Sequence, residues 1–181
     1  MNDTRSEIIN LANELIKSVG YNAFSYADIS KKLNIKNAAI HYYFPAKADL
    51  GLEVIKRNLL AFLERIDAWK ELDYKDQYKN YITMHDGFIQ HNWTCIVGSL
   101  SPSFDTLPEN MQRELQKLVN TILDWLTELL TKGKEDNVFS FPETPRTKAY
   151  MVHSALLSAL LMNKVLKNDV YPSIQAGLLN I

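Results

Sequence analysis

Between Arg146 and Lys167, ten apolar residues cover most of the circumference of one helical stretch: Met151, Val152, Ala155, Leu156, Leu157, Ala159, Leu160, Leu161, Met162 and Val165. A helix apolar nearly all round must be buried on several sides, which only a multi-helix packing or a second subunit provides. The rest of the chain has the same period. Ile8, Leu11, Ala12, Leu15 and Ile16 mark one face of a first helix that stops before Gly20. Met111, Leu115, Leu118, Val119, Ile122, Leu126 and Leu129 mark another, between Pro108 and Lys132, with Gly133 read as its terminator. No alternating run is long enough for a strand. The expected class is all-α: a small three-helix N-terminal unit over residues 1–46 and a larger helical unit over 47–181.

The punctuation between helices sharpens this expectation. Thr4-Arg5-Ser6-Glu7 has the form of a capping box. Ser25 opens a second, short helix with Ala27, Ile29 and Leu33 inward, and Asn34 suits a left-handed turn. Asn37 is read as the cap of a third helix of about two turns, which Pro45 prevents from continuing. Two short helices joined by a tight turn make a helix-turn-helix. A longer helix is expected from Lys47 to Leu72, another from Lys75 to His91, then an irregular stretch GSLSPSFDTLP, and after the 108–132 helix a loop over 137–145. The last two are the apolar 146–167 helix and a short one after Pro172. That apolar helix points to a homodimer built on it, with Met151, Leu156, Leu160 and Val165 as candidate interface residues.

Charge adds a direction. The whole chain carries a net −1, yet Lys31, Lys32, Lys36 and Lys47 stand between residues 29 and 47 with no acidic residue among them. A local basic patch on a mildly acidic body can attract a polyanion. The single cysteine, Cys95, excludes an intrachain disulfide framework and fits a reducing compartment. The N-terminal MNDTRSEIIN lacks the apolar core of a secretory leader, and the stretch from Ala155 to Met162 is too short to cross a bilayer. The expected location is cytoplasmic, with no membrane partner. A nucleophile elbow, a glycine-rich phosphate loop and a Cys/His metal spacing are all missing from the sequence, and His85 and His91 fall on different helix faces. No enzyme, metal or cofactor is expected.

The stretch GYNAFSYADISKKLNIKNAAIHYYFPAKADL, residues 20–50, resembles the DNA-binding domain of the tetracycline-repressor (TetR) family of bacterial regulators. The resemblance covers roughly the first 60 residues. It rests on the glycine-aromatic pair, the serine before the second helix, "DIS..LNI", and "YYF..K.DL" in register. Three departures stand out: Asn34 replaces a frequent glycine, His41 and Tyr43 look exchanged, and Ala46 takes the place of a capping serine. The resemblance implies a homodimer reading a pseudo-palindromic double-stranded DNA operator, with the helix from Asn37 to Tyr43 in the major groove. A C-terminal sensor for a small-molecule effector would control it.

The implied DNA-binding residues are Ser25, Lys36, Asn37, Ala38, Ala39, His41, Tyr42 and Lys47. Asn37 suits a base edge, and Ala38 and Ala39 suit close approach to a thymine methyl. Ser25, Tyr42 and Lys47 match the family's phosphate-binding positions, whereas Tyr43 and Phe44 fit the small unit's core. The later segment NWTCIVGSLSPSFDTLPENMQREL resembles a region of TetR-family members that include electrophile- and oxidant-sensing repressors, with Cys95 on the cysteine of that pattern. Cys95 is therefore a candidate sensor, and Tyr78, Phe88, Trp93, Phe104 and Trp125 are candidate pocket aromatics. The functional expectation is a repressor released by a small-molecule or electrophile inducer. The alternatives are an activator of the same fold or a helical interaction module without effector control.

Overall fold

The computed structural model describes residues 4–167 and 170–181, and among them there is no β-strand. Ten α-helices follow one another: α1 (Thr4–Val19), α2 (Tyr26–Leu33), α3 (Asn37–Tyr43), α4 (Lys47–Trp69), α5 (Tyr74–Thr83), α6 (Asp86–Gln90), α7 (Ile96–Leu100), α8 (Glu109–Glu135), α9 (Pro145–Leu166) and α10 (Val170–Leu178). Short 3₁₀ helices at Tyr21–Ala23 and Ser101–Thr106 join α1 to α2 and α7 to α8. Helices α1, α2 and α3 pack on one another, and α4 runs from beside them into the body, where it lies along α8. Helix α8 also carries α9, which carries α10. The N-terminal unit closes over Ile8, Ile29, Ile40, Phe44 and Leu50, all 1% exposed or less.

The local signals act where they were expected to, with six differences. Two are at helix starts, where Thr4 already lies in α1 instead of capping it and Pro172 lies inside α10, which begins at Val170, instead of preceding it. Gly20 ends α1 at a φ of 96°, and Asn34 ends α2 at φ 53°, ψ 43°, the left-handed region that glycine and asparagine tolerate best. The cap of α3, however, is Lys36, and Asn37 is its first helical residue, so its side chain is not engaged as a cap. Helix α5 stops at Thr83 instead of continuing to His91. In a continuous helix the Ile82 carbonyl would accept from the amide of residue 86; here it accepts from the Tyr171 hydroxyl at 3.0 Å. The stretch 98–108 is ordered into the end of α7 and a 3₁₀ turn. Gly133 lies inside α8, not after it. A Cβ there would sit 2.3 Å from the Phe139 ring, so the glycine lets the chain fold back, and the left-handed residue beyond the helix is Asn137.

Helix α9 is 22 residues long and, by length and composition alone, apolar enough to cross a bilayer. In the structure it packs on α6, α7, α8 and α10. Thr144 caps it by accepting from the Thr147 amide, with Pro145 in the first turn. Its faces divide sharply. Ala149, Val152, Leu156, Ala159 and Leu160 are buried within the subunit, while Met151, Met162, Val165 and Leu166 are exposed. Leu156 and Leu160, at 2% exposure, therefore belong to the subunit's own core and cannot face a partner. Of the four candidate interface residues only Met151 and Val165 lie on the open side.

Candidate nucleic-acid interface and internal cavity

At one end of the molecule, α2 and α3 present the basic stretch. Ser25 caps α2, and the Asp28 carboxylate accepts from both the Ser25 amide (2.7 Å) and its hydroxyl (2.8 Å), the reciprocal arm of a capping box. Those bonds hold the Asp28 carboxyl below its ordinary pKa. Tyr26 then fixes the far end of α3: its hydroxyl donates to the Phe44 carbonyl at 2.9 Å, and its ring stands edge-on to His41 with centroids 4.8 Å apart. Burial raises the Tyr26 phenol to about 12, so it stays a donor at any physiological pH.

With the far end of α3 held in this way, its outer surface is free. Lys36, Asn37, Ala38, His41 and Tyr42 are exposed, Ala39 is half-buried, and Tyr42 stands out at 81% exposure. Phe44 is buried to 1% and Tyr43 half-buried, which places the aromatic pair inward. Lys31 and Lys32, in the last turn of α2, are exposed as well. Lys47 differs from the other lysines. Its ammonium donates to the Phe24 carbonyl and lies over the Phe24 and Tyr21 rings, 4.1 and 4.8 Å from their centroids. It is half-buried, and desolvation lowers its pKa. Lys47 thus ties the start of α4 to the α1–α2 connection. Ala46 has no side chain to cap α4, but the Asp49 carboxylate still accepts from the Ala46 amide at 2.9 Å.

In the body, a cavity of about 240 Å³ opens between α1, α4, the α5–α6 corner, α7, α8 and α9. Its apolar wall includes Phe62, Phe88, Val97, Leu118 and Ile122, and its polar wall Lys17, Arg57, Arg65, His85 and His153, with Cys95 beside them. Of the candidate pocket residues, Cys95 and Phe88 line this cavity. Trp93 stands edge-on behind Phe88 at 6.0 Å and stacks on His91 at 4.7 Å. Tyr78 is core, its hydroxyl donating to the Leu178 carbonyl. Trp125 backs the cavity through Phe62, edge-on at 5.7 Å, and itself faces a separate groove between α4, α5 and α8. Phe104 lines a shallow depression against α8.

Cys95 caps α7, with its sulfur accepting from the Gly98 amide at 3.3 Å. Burial pushes its thiol above the ordinary value, and this outweighs the lowering by the Gly98 amide and Lys17. The thiolate that reacts with oxidants is therefore disfavoured. Lys17, Arg57, Arg65, His85 and His153 were not among the sequence candidates. Lys17 and Asn13 had a legible signal, since both continue the row of Ile9 at intervals of four along α1 and both line the cavity. The two histidines had none, because their neighbourhood is assembled by packing.

The comparisons agree with this architecture. Residues 8–54 match the family model described as "Bacterial regulatory proteins, tetR family". The TetR transcriptional regulator from Legionella pneumophila superposes with a TM-score of 0.88 at 26% identity, over 98% of this chain and 96% of that one. The transcriptional repressor NemR of Escherichia coli K12 is 22% identical over 169 residues, 90% of this chain and 85% of the repressor. FadR from Bacillus subtilis, solved in complex with stearoyl-CoA, shares the fold at a TM-score of 0.71 and 20% identity, over 96% of this chain and 94% of that one. Residues 8–54 are thus a DNA-binding domain of the TetR family, and the chain shares its fold along nearly its whole length with TetR-type transcriptional regulators.

Proposed function

We propose that the chain is a cytoplasmic, ligand-responsive repressor that binds a two-fold operator as a homodimer and is released when an effector enters the internal cavity. The division at residue 46 separates the reading unit from the sensing unit, with α4 as the connector. One observation carries the reading. The cavity wall includes side chains of α1, which packs on α2 and α3, and of α4, which packs on α1, together with side chains from α7, α8 and α9. A ligand there bears on both units at once, as control of affinity by differential binding requires. The relatives described as repressors, and the acyl-CoA complex of one neighbour of this fold, support the direction of the effect. The exposed apolar stripe of α9, with Met151, Met162 and Val165, joined by Ile174 of α10, supports the dimer.

On DNA, α3 enters the major groove. Asn37, Ala38 and Ala39 meet base edges, while Lys36, Ser25, Tyr42 and His41 lie towards the backbone. Lys47 acts mainly by bracing this unit, since its ammonium is already bonded to the Phe24 carbonyl. An electrophile reaching the cavity would meet Cys95 as a protonated thiol, so reversible binding is the favoured route of induction.

Operator binding measured against salt, on a palindrome from the protein's own promoter, tests the reading. Lys36→Ala is expected to weaken binding to all sequences alike and to reduce the salt slope by about one. Asn37→Ala is expected to cost about 1–3 kcal/mol at particular base pairs and to leave the slope unchanged. Binding that is indifferent both to salt and to these changes would remove the DNA-reading assignment. A reporter in a deletion strain separates repression from activation.

A further inference from the structure

The polar wall of the cavity has an unusual electrostatic balance. Lys17 is only 7% exposed, yet no carboxylate lines the cavity among the described residues. Its ammonium lies over the Phe88 ring at 5.0 Å, and the acid that acts on it, Glu14, stands outside the lining. Desolvation lowers it to about 8, against weaker support from Cys95 and Glu14. Arg57 and Arg65, both exposed, add two permanent cations to the rim.

Two further nitrogens in this wall lack partners. His85 Nδ1 and His153 Nε2 are fully shielded and make no hydrogen bond. The His153 Nδ1 pairs with the Tyr81 hydroxyl at 2.8 Å, and burial keeps that phenol protonated. In the tautomer in which the phenol donates to Nδ1, the His153 ring proton sits on the unpartnered Nε2. His85 is within electrostatic range of His153, Arg65 and Lys17, so these four groups form one cluster. A buried cation and two orphaned nitrogens cost free energy unless something satisfies them. The apolar part of the same wall includes Phe62, Leu118 and Ile122.

We propose that the cavity is a receptor for a small organic carboxylate, whose head group is held by Lys17 and the rim arginine Arg65, with the His153 ring behind them, and whose apolar body lies against Phe62, Leu118 and Ile122. The volume of about 240 Å³ lies below the range of about 300–1,000 Å³ typical of drug-sized pockets, which favours a compact acid. The site also carries its own route to the DNA-binding unit. Lys17 belongs to α1, and its carbonyl accepts from the Thr94 amide (2.9 Å) and hydroxyl (3.3 Å), just before α7. The neighbouring Ser18 carbonyl accepts from the Lys164 ammonium of α9 at 2.6 Å. A carboxylate bonded to Lys17 pulls on the junction that fixes α1 to the sensing unit. Only this regulatory half depends on the repressor reading; binding of the acid does not.

The test is isothermal titration of the full chain with hexanoate and benzoate, each against its neutral amide. The acids are expected to bind about tenfold or more tightly than hexanamide and benzamide, the scale of a charge-assisted hydrogen bond. Lys17→Met removes the buried cation and is expected to remove that discrimination. Arg65→Gln, at an exposed position that leaves the fold intact, is expected to reduce it in part. Equal affinity for acid and amide overturns the proposal, as does failure of both acids to bind. So does a folded Lys17→Met protein that keeps the full preference. If Lys17→Met does not fold, the wild-type acid-to-amide ratio and Arg65→Gln decide. Operator binding is followed in parallel. Acids that bind without changing DNA affinity keep the carboxylate site and refute its effector role, whereas intact DNA binding with no acid binding refutes the site and keeps the regulator.

Discussion

The two ends of this molecule treat positive charge in opposite ways. On α2 and α3, Lys31, Lys32 and Lys36 stand in water, and the effort of the structure goes into fixing the helices that carry them. In the cavity, Lys17 is withdrawn from water with two histidines and no lining carboxylate. An exposed cation costs nothing to keep charged and is suited to a polyanion that approaches from outside. A buried one carries a desolvation penalty that a bound anion relieves, which suits discrimination between ligands. The first arrangement favours reach and the second favours selectivity.

The largest expected effect breaks the first end from beneath. Phe44 is 1% exposed and anchors α3, so Phe44→Ala is expected to cost about 3–5 kcal/mol and to lower the thermal midpoint together with DNA binding. Tyr42, the adjacent residue at 81% exposure, separates the two properties. Tyr42→Ala is expected to leave stability within about 0.5 kcal/mol and still weaken operator binding. If both variants lose stability equally, the division of that short helix into an outward and an inward half is wrong.

The cavity end is probed by pH. His85 is lowered to about 3, chiefly by desolvation, with His153, Arg65 and Lys17 adding to it. The unfolded chain protonates this ring near pH 6.5, the folded one only near 3. Between those values the unfolded state binds more protons, so stability is fully present above about pH 6.5 and falls as the pH drops. His153 is lowered by burial as well and acts in the same direction. In denaturation curves between pH 7 and 5, His85→Gln is expected to flatten the dependence by up to one proton, about 1.4 kcal/mol per pH unit at the acid end. An unchanged slope would mean that the ring is solvated in the folded protein.

The two ends also differed in how far they could be read from the sequence. The helix-turn-helix was legible because its determinants are local. Ser25, Asn34 and Pro45 act within a few residues, and the third helix ends before Pro45 as expected, starting one residue earlier than a cap at Asn37 would give. The cavity was legible only in part: Cys95 and Phe88 were candidates and Lys17 continues the row of Ile9, but Arg65, His85 and His153 come from separate parts of the chain and acquire meaning only when packed. The break after α5 was hidden for the same reason, since Tyr171 takes the Ile82 carbonyl across 89 residues. Gly133 shows the opposite failure. A glycine near a helix end reads as a terminator, yet this one makes room for Phe139. On α9 the composition pointed to a partner-facing helix but not to which side faces out. Leu156 and Leu160 went inward, Met151 and Val165 outward.

The smallest expected effect concerns the junction between the ends, where α4 begins. Ala46 occupies the cap with extended backbone (φ −122°, ψ 152°), the conformation that serine adopts at this position. Half of a capping box is already in place, because Asp49 accepts from the Ala46 amide. Ala46→Ser supplies a hydroxyl to accept from the Asp49 amide, which bonds only to the Ala46 carbonyl at 3.0 Å. The expected gain is about 0.5–1 kcal/mol, which for a chain of this size raises the thermal midpoint by about 1–4 °C. Position 46 is exposed and does not line the cavity, so carboxylate affinity should not move. A midpoint that stays fixed would mean that the Asp49 arm and the Lys47–Phe24 bond already hold the start of α4 as firmly as a full cap. A gain confined to stability would instead show that the junction can be tightened without touching the charge stored in the cavity.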